Sequence, residues 1–153
     1  QPSFLEYGFL GIMQPHMDFI VGYCNFDCIK CGEVCPTGAI NPMELKAKQT
    51  EQLGIAQFVK RNCIVYTEGS DCGACSEHCP TKAVHMIPYQ NGLVIPEVRD
   101  EICIGCGACE YACPVEPPHK AIYVEGNAVH QRAEEPKREE IKPSQEGEEE
   151  FPF

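Results

Sequence analysis

The chain has 153 residues, twelve of them cysteine, and 23 acidic against 12 basic side chains give a formal charge of −11. That length holds one compact domain or two very small ones, and the acidic excess makes nucleic acid and anionic membrane surfaces poor partners. There is no N-x-S/T glycosylation site and no apolar run of about 18 residues that could span a bilayer.

The opening stretch, FLEYGFLGIMQPHMDFIVGY, is apolar but broken by Glu6, Pro15, His16 and Asp18. It reads as packing surface, with a short helix around Phe4 to Ile12 and an extended piece through Phe19-Ile20-Val21. The chain starts at Gln1 without an initiator methionine or signal peptide, which suits a processed product or an excised domain. A first cysteine cluster follows (Cys24, Cys28, Cys31, Cys35), and then NPMELKAKQTEQLG, which carries helix punctuation. Asn41 suits an N-cap, Pro42 the first helical position, Glu44 the third and Gly54 the position past the end, predicting a helix over 42–53. IAQFVKRN (55–62) reads as a strand leading into Cys63 and the second cluster. AVHMIP and LVIPEV are two further strands, and Asn91-Gly92 between them is a strong hairpin signal because both residues tolerate positive φ. After the third cluster KAIYVEG is another short strand. From about Gln131 the chain holds eight glutamates and three prolines with few apolar residues, the composition of a segment that cannot bury enough surface to order itself.

Eleven of the twelve cysteines, all but Cys63, sit two or three residues apart in three tight clusters. Neighbours that close rarely bridge to each other, so the pattern favours metal over disulfides. Cys103-x2-Cys106-x2-Cys109-x3-Cys113-Pro114 is the bacterial ferredoxin run. Two-residue gaps let three thiolates reach three irons of one cubane, Gly105 and Gly107 let the backbone approach the sulfides, and the fourth cysteine points to a second cluster. The second motif, Cys63-x8-Cys72-x2-Cys75-x3-Cys79-Pro80, differs by a longer first loop. The first, Cys24-x3-Cys28-x2-Cys31-x3-Cys35-Pro36, has one extra residue in its first gap. Twelve thiolates at four per cubane match three [4Fe-4S] clusters, or two if one motif is orphaned.

Two other chemistries compete. Zinc also takes four thiolates from C-x2-C pairs, although such sites do not need the x3-C-P element in every motif. The C-x3-C-x2-C spacing from Cys24 resembles radical S-adenosylmethionine enzymes, which leave one iron open, yet here Cys35-Pro36 follows and spare fourth cysteines are present.

RNCIVYTEGSDCGACSEHCPTKAVHM and EICIGCGACEYACPVEPPHKAIYV form an internal repeat, sharing C-G-A-C and then x3-C-P. Each reads as strand, cluster loop, short helix and strand. Two such units predict an α+β, ferredoxin-like (βαβ)2 fold with an additional N-terminal cluster-binding segment and a disordered C-terminal tail. The corresponding domains are 1–54 (first motif, helical lead-in and linker helix), 55–126 (dicluster domain) and 127–153 (acidic tail). The repeat favours pairing Cys63, Cys72 and Cys75 with Cys113, and Cys103, Cys106 and Cys109 with Cys79. The first motif then needs Cys35 or a ligand from outside the chain. The rival scheme pairs motifs one and two and orphans motif three.

The order QPSFLEYGF, GYCNFDCIKCGEVCPTGAI, a Lys/Gln-rich helix, IAQFVKRNC, CSEHCP and CIGCGACEYACP resembles the C-terminal part of ferredoxin-type polyferredoxins, relatives of the iron-sulfur accessory proteins of periplasmic nitrate reductase. The resemblance covers residues 1 to about 125. Such proteins usually carry a further C-x2-C-x2-C-x3-C-P motif before the position of Gln1, often behind transmembrane helices, so a fragment of a longer, membrane-associated polyferredoxin is expected. The resemblance implies single-electron transfer from a membrane quinol or other donor to a redox partner. Cluster assembly inside the cell points to the cytoplasmic face, while the resemblance keeps a periplasmic location open.

The acidic surface predicts docking to a redox protein with a basic surface. No nucleotide loop or hydrolytic triad is present, so an electron carrier without substrate chemistry is expected. His78, between Cys75 and Cys79, reads as a surface residue or one packed behind the ligands. Tyr23, Tyr66 and Tyr111 read as aromatics that shield clusters from water, and Lys30 and Lys82 beside the motifs as cations that either offset cluster charge or are solvated at the surface.

Overall fold

The computed structural model describes residues 17–135 and the short segments Pro2–Ser3 and Gln14–Pro15. In chain order the elements are β1 (Pro2–Ser3), β2 (Gln14–Pro15), α1 (Lys30–Val34), α2 (Leu45–Thr50), β3 (Glu51–Phe58), α3 (Ile64–Thr67), α4 (Ala74–Glu77), β4 (Val84–Pro88), β5 (Val94–Val98), α5 (Ala108–Ala112) and β6 (Ile122–Arg132). They form three two-stranded antiparallel sheets, β1 with β2, β3 with β6 and β4 with β5.

From β3 onward, two strand–helix–strand units follow each other. Their inner strands, β4 and β5, pair through a tight turn at Gln90–Gly92 in which Asn91 and Gly92 take φ of 57° and 77°. Asn and Gly are the residues that reach that region at least cost. The outer strands β3 and β6 pair along Phe58↔Ile122 to Glu51↔Arg132, with a register shift between Gln52 and Gly54. This topology brings the short helices α4 and α5, which carry Cys75 and Cys109, into contact.

The interior is unusual in what fills it. Ala56, Ala83 and Ala121 are buried with six cysteines, and the largest fully buried side chains are Ile122, Val65, Val84 and Thr81. Among the described residues no aromatic ring is buried in this core. A core lined by alanines and thiols has little apolar bulk of its own, so a group held by those thiols is a natural part of its packing.

Several boundaries differ from the sequence expectation. The helix predicted over 42–53 spans only Leu45–Thr50, with Glu44 extended at its start. Asn41 and Pro42 instead lie against Gly32, where a Cβ would meet the Pro42 Cα at 2.8 Å. At the other end, pairing of Glu51 and Gln52 with Arg132 and Gln131 converts predicted helix to strand, a tertiary ladder overriding local propensity. The strand expected at 55–62 therefore runs Glu51–Phe58, with a short turn at Lys60–Asn62. The boundaries expected at 54/55 and 126/127 both fall inside β-strands, β3 and β6.

Strand β6 continues past the predicted KAIYVEG to Arg132. Ala133 beyond it is buried and donates its N–H to the Thr50 carbonyl at 2.8 Å, so the tail expected from 127 is ordered at least to there. Phe19, Ile20 and Val21 form a turn rather than an extended piece. The helix expected around Phe4 to Ile12 and the tail beyond residue 135 lie outside the described residues.

Candidate iron-sulfur site

The second and third motifs sit on short helices, α3 and α4 for one and α5 for the other, each entered from a loop that packs on a sheet. Strand β3 positions the third motif. Leu53 donates its N–H to the Ile104 carbonyl at 3.1 Å, and Gly105, at φ 67°, lies directly on the backbone of Gly54. A Cβ on Gly105 would run into that backbone, and one on Gly54 would run into the backbone of Glu125 and Gly126. Two glycines thus permit an approach that no other residue allows. Gly107, at φ 78°, enters α5 with the Phe19 ring flush against it.

A buried glutamine completes this support. Gln52 Nε2 donates to the carbonyls of Asp100 (2.8 Å) and Cys103 (2.7 Å), and Asn127 Nδ2 donates back to the Gln52 carbonyl at 3.3 Å. Sequence reading missed Gln52 because it lay in the predicted helix, where a glutamine is unremarkable. No local signal marks it.

The thiols of these two motifs fall into two groups that cross the motif boundaries. Cys63, Cys72, Cys75 and Cys113 line one apolar cavity, walled by Phe58, Ile64, Pro96, Val115 and Ile122. Burial pushes the Cys75 thiol up to about 12, with negative charge on Cys72, Cys113 and Cys63 adding to the effect. Cys63 is raised first by burial and then by Cys72 and Cys113. In the second group, burial raises Cys103 and Cys109 and pushes Cys106 up to about 11, and negative charge on Cys79 would raise all three further. The Ala56 N–H reaches Cys103 Sγ at 3.5 Å. Cys75 also acts on Cys109, so the two groups adjoin.

The first motif is arranged differently. Cys24 donates its N–H to the Cys106 carbonyl at 2.8 Å and packs with Phe26 against Ile104, Cys106, Ala108 and Ala133. Cys28 and Cys31 are exposed, and Cys35 is half-buried. The motif does not close into a third buried quartet. Helix α2 secures its loop: Lys48 Nζ donates to the carbonyls of Asn25 and Phe26 and lies 5.9 Å from the Phe26 ring, and Gln49 Nε2 bonds Asp27 at 2.9 Å. Cys35 is pulled down to about 7 by the Thr37 hydroxyl, then by the Ile40 N–H at 3.4 Å.

His78 is exposed with its Nδ1 2.9 Å from the Ala74 carbonyl, in keeping with a surface residue. Tyr23 and Tyr111 meet with ring centroids 5.3 Å apart, joining the first and third motifs, whereas exposed Tyr66 packs with Lys60. Lys30 is exposed and pairs with Glu33 at 2.6 Å. Lys120, not singled out from sequence, donates to the Cys113 carbonyl at 2.7 Å.

The donor set fits a sulfide-bridged iron cluster: soft thiolates, an apolar wall, and glycines that bring backbone close. Among the described residues no three His, Cys, Asp or Glu side chains group to hold a single metal ion, and no helix is long and apolar enough to cross a membrane.

Residues 68–117 match the family model of the 4Fe-4S dicluster domain. The segment is therefore of ferredoxin type, and the protein is an iron-sulfur protein that binds [4Fe-4S] groups in an electron-transfer role. Seven of the cysteines described above lie in it, whereas Cys63 and the first motif precede it. No curated protein and no solved structure matches the chain.

Proposed function

We propose that the chain is part of a polyferredoxin that relays single electrons between a donor and a redox partner and performs no substrate chemistry. The observation that carries this reading is the exchange of fourth cysteines. Cys79 sits with Cys103, Cys106 and Cys109, and Cys113 with Cys63, Cys72 and Cys75. Each quartet would hold one [4Fe-4S] cluster, which supplies a one-electron couple when bound. Interlocked quartets hold two such groups side by side on a shared scaffold, which suits a relay more than two independent sites.

The residues divide the remaining work. The glycines at 54, 105 and 107 admit the ligand loop, Gln52 fixes its carbonyls, and the apolar wall around Cys63 limits water. The strand–helix–strand repeat with paired inner and outer strands supports a ferredoxin-like (βαβ)2 fold. A third cluster on Cys24, Cys28, Cys31 and Cys35 completes the reading, and the exposure of Cys28 and Cys31 suits a group that meets a partner.

The partner we favour is a redox protein with a basic docking surface, given the charge of −11. Membrane association through sequence outside this chain, on the cytoplasmic face by default, follows from the polyferredoxin resemblance alone. A zinc-stabilised interaction module is the competing reading. Zinc sites also take four thiolates, at about 2.3 Å from one centre, but they do not need the x3-C-P element that every motif here carries.

The deciding experiment quantifies iron, acid-labile sulfide and zinc on anaerobically prepared protein. Iron and sulfide at about four each per quartet support the reading, with a third equivalent set if the first motif is loaded. Zinc without sulfide after anaerobic reconstitution overturns it.

A further inference from the structure

The residue two places after the fourth cysteine differs between motifs. It is Thr37 after Cys35-Pro36 and Thr81 after Cys79-Pro80, but Val115 after Cys113-Pro114. Thr81 is among the most buried residues of the protein, 2% exposed. A hydroxyl in that position needs a hydrogen-bonding partner. The partner it has among the described residues is Cys79 Sγ, 3.7 Å away. Thr37 stands in the same relation to Cys35 at 3.5 Å, in an exposed setting.

We propose that Thr81 tunes the quartet of Cys79, Cys103, Cys106 and Cys109 by donating its hydroxyl proton to the Cys79 sulfur, making the two quartets unequal in reduction potential. The proposal rests on the ligand role of Cys79 in the function proposed above. A thiol and a hydroxyl can each donate to the other, but a metal-bound thiolate has no proton, so the direction is then fixed from Thr81 to sulfur. Adding an electron makes the quartet more negative, and a donor aimed at its sulfur stabilises that form more than the oxidised one. The potential rises accordingly. Val115 gives Cys113, and hence the other quartet, no such donor.

The test is an EPR-monitored redox titration of the anaerobically reconstituted chain and three variants. Thr81→Val, which keeps the branched shape without the hydroxyl, lowers one potential by up to about tenfold in the one-electron equilibrium, ~59 mV, and leaves the others in place. Thr81→Ser restores it. Val115→Thr, which exchanges one methyl for a hydroxyl at nearly constant shape, raises the potential of the quartet containing Cys113. Potentials unchanged in Thr81→Val, or all displaced together, overturn the proposal, as does a Val115→Thr chain with wild-type potentials. Wild-type protein that assembles no cluster instead fails the ligand reading itself, a distinct and earlier result.

Discussion

Cys79 and Cys103 belong to different motifs, yet Cys79 is near enough that negative charge on it adds to burial in raising Cys103, and it does the same to Cys106 and Cys109. Cys75, four residues earlier in the chain, belongs with Cys63, Cys72 and Cys113. Cys75 lies on the short helix α4, whereas Cys79 follows its C-cap His78, where the chain has left the helix.

That crossing predicts how single cysteine variants group. Cys79→Ser and Cys109→Ser perturb the same EPR signal, and Cys113→Ser and Cys75→Ser perturb the other. If Cys79→Ser instead alters the signal lost in Cys75→Ser, each motif supplies its own four ligands and the exchange is wrong.

Gly105→Ala leaves its new methyl against the Gly54 backbone, with no flexible side chain to yield, and forces a β-carbon into positive φ. The expected cost is about 2 to 4 kcal/mol from overpacking and backbone strain together. Thermal denaturation of the loaded protein reads it as a lowered Tm, with iron content reduced by loss from the Cys79-containing quartet. Gly38→Ala has open space at the same sign of φ and pays the backbone strain alone, so it loses less.

Removing the Gln52 amide strands the buried Cys103 carbonyl and frees the part-buried Asp100 carbonyl to water. Gln52→Leu is expected to destabilise by about 1 to 3 kcal/mol, the cost of leaving the one fully buried carbonyl unsatisfied. Gln52→Glu is worse at neutral pH, because a carboxylate would face the Asp100 and Cys103 carbonyls with no donor. Denaturant titration of the two variants gives the order, and a Glu variant as stable as wild type would contradict it.

In the metal-free chain the thiols span a wide range of reactivity. Cys35, held at about 7 by the Thr37 hydroxyl and the Ile40 N–H, is about half thiolate at pH 7 and half-buried, so iodoacetamide modifies it well before Cys75 or Cys106. Mass spectrometry of briefly alkylated protein measures the order, and Thr37→Val slows Cys35.

The same pKa values give a sign for loading. Buried thiols raised to about 12 and 11 are protonated at pH 7 and must release their protons to bind iron. Reconstitution at fixed iron and sulfide is therefore expected to become more complete from pH 7 to pH 9, with protons released to the medium. A flat yield across that interval would mean these thiols ionise without cost.

The sequence by itself determined the chemistry. Twelve thiols at ferredoxin spacing, glycines beside the ligands and a proline after each fourth cysteine are local requirements of cluster binding, so they are written in consecutive residues. The Asn91-Gly92 turn was legible for the same reason, since its backbone conformation depends on those two residues alone. Tertiary structure decided the rest. The end of the predicted helix became strand because β6, about 80 residues away, offers Glu51 and Gln52 a ladder. Gly54, which locally suits a helix stop, instead lets the Gly105 loop touch strand β3, and Gln52 acquires its role only when the Cys103 carbonyl arrives beside it. Spacing names the donors of a cluster, but contacts between distant segments decide which donors meet and how dry, charged and closely held they are.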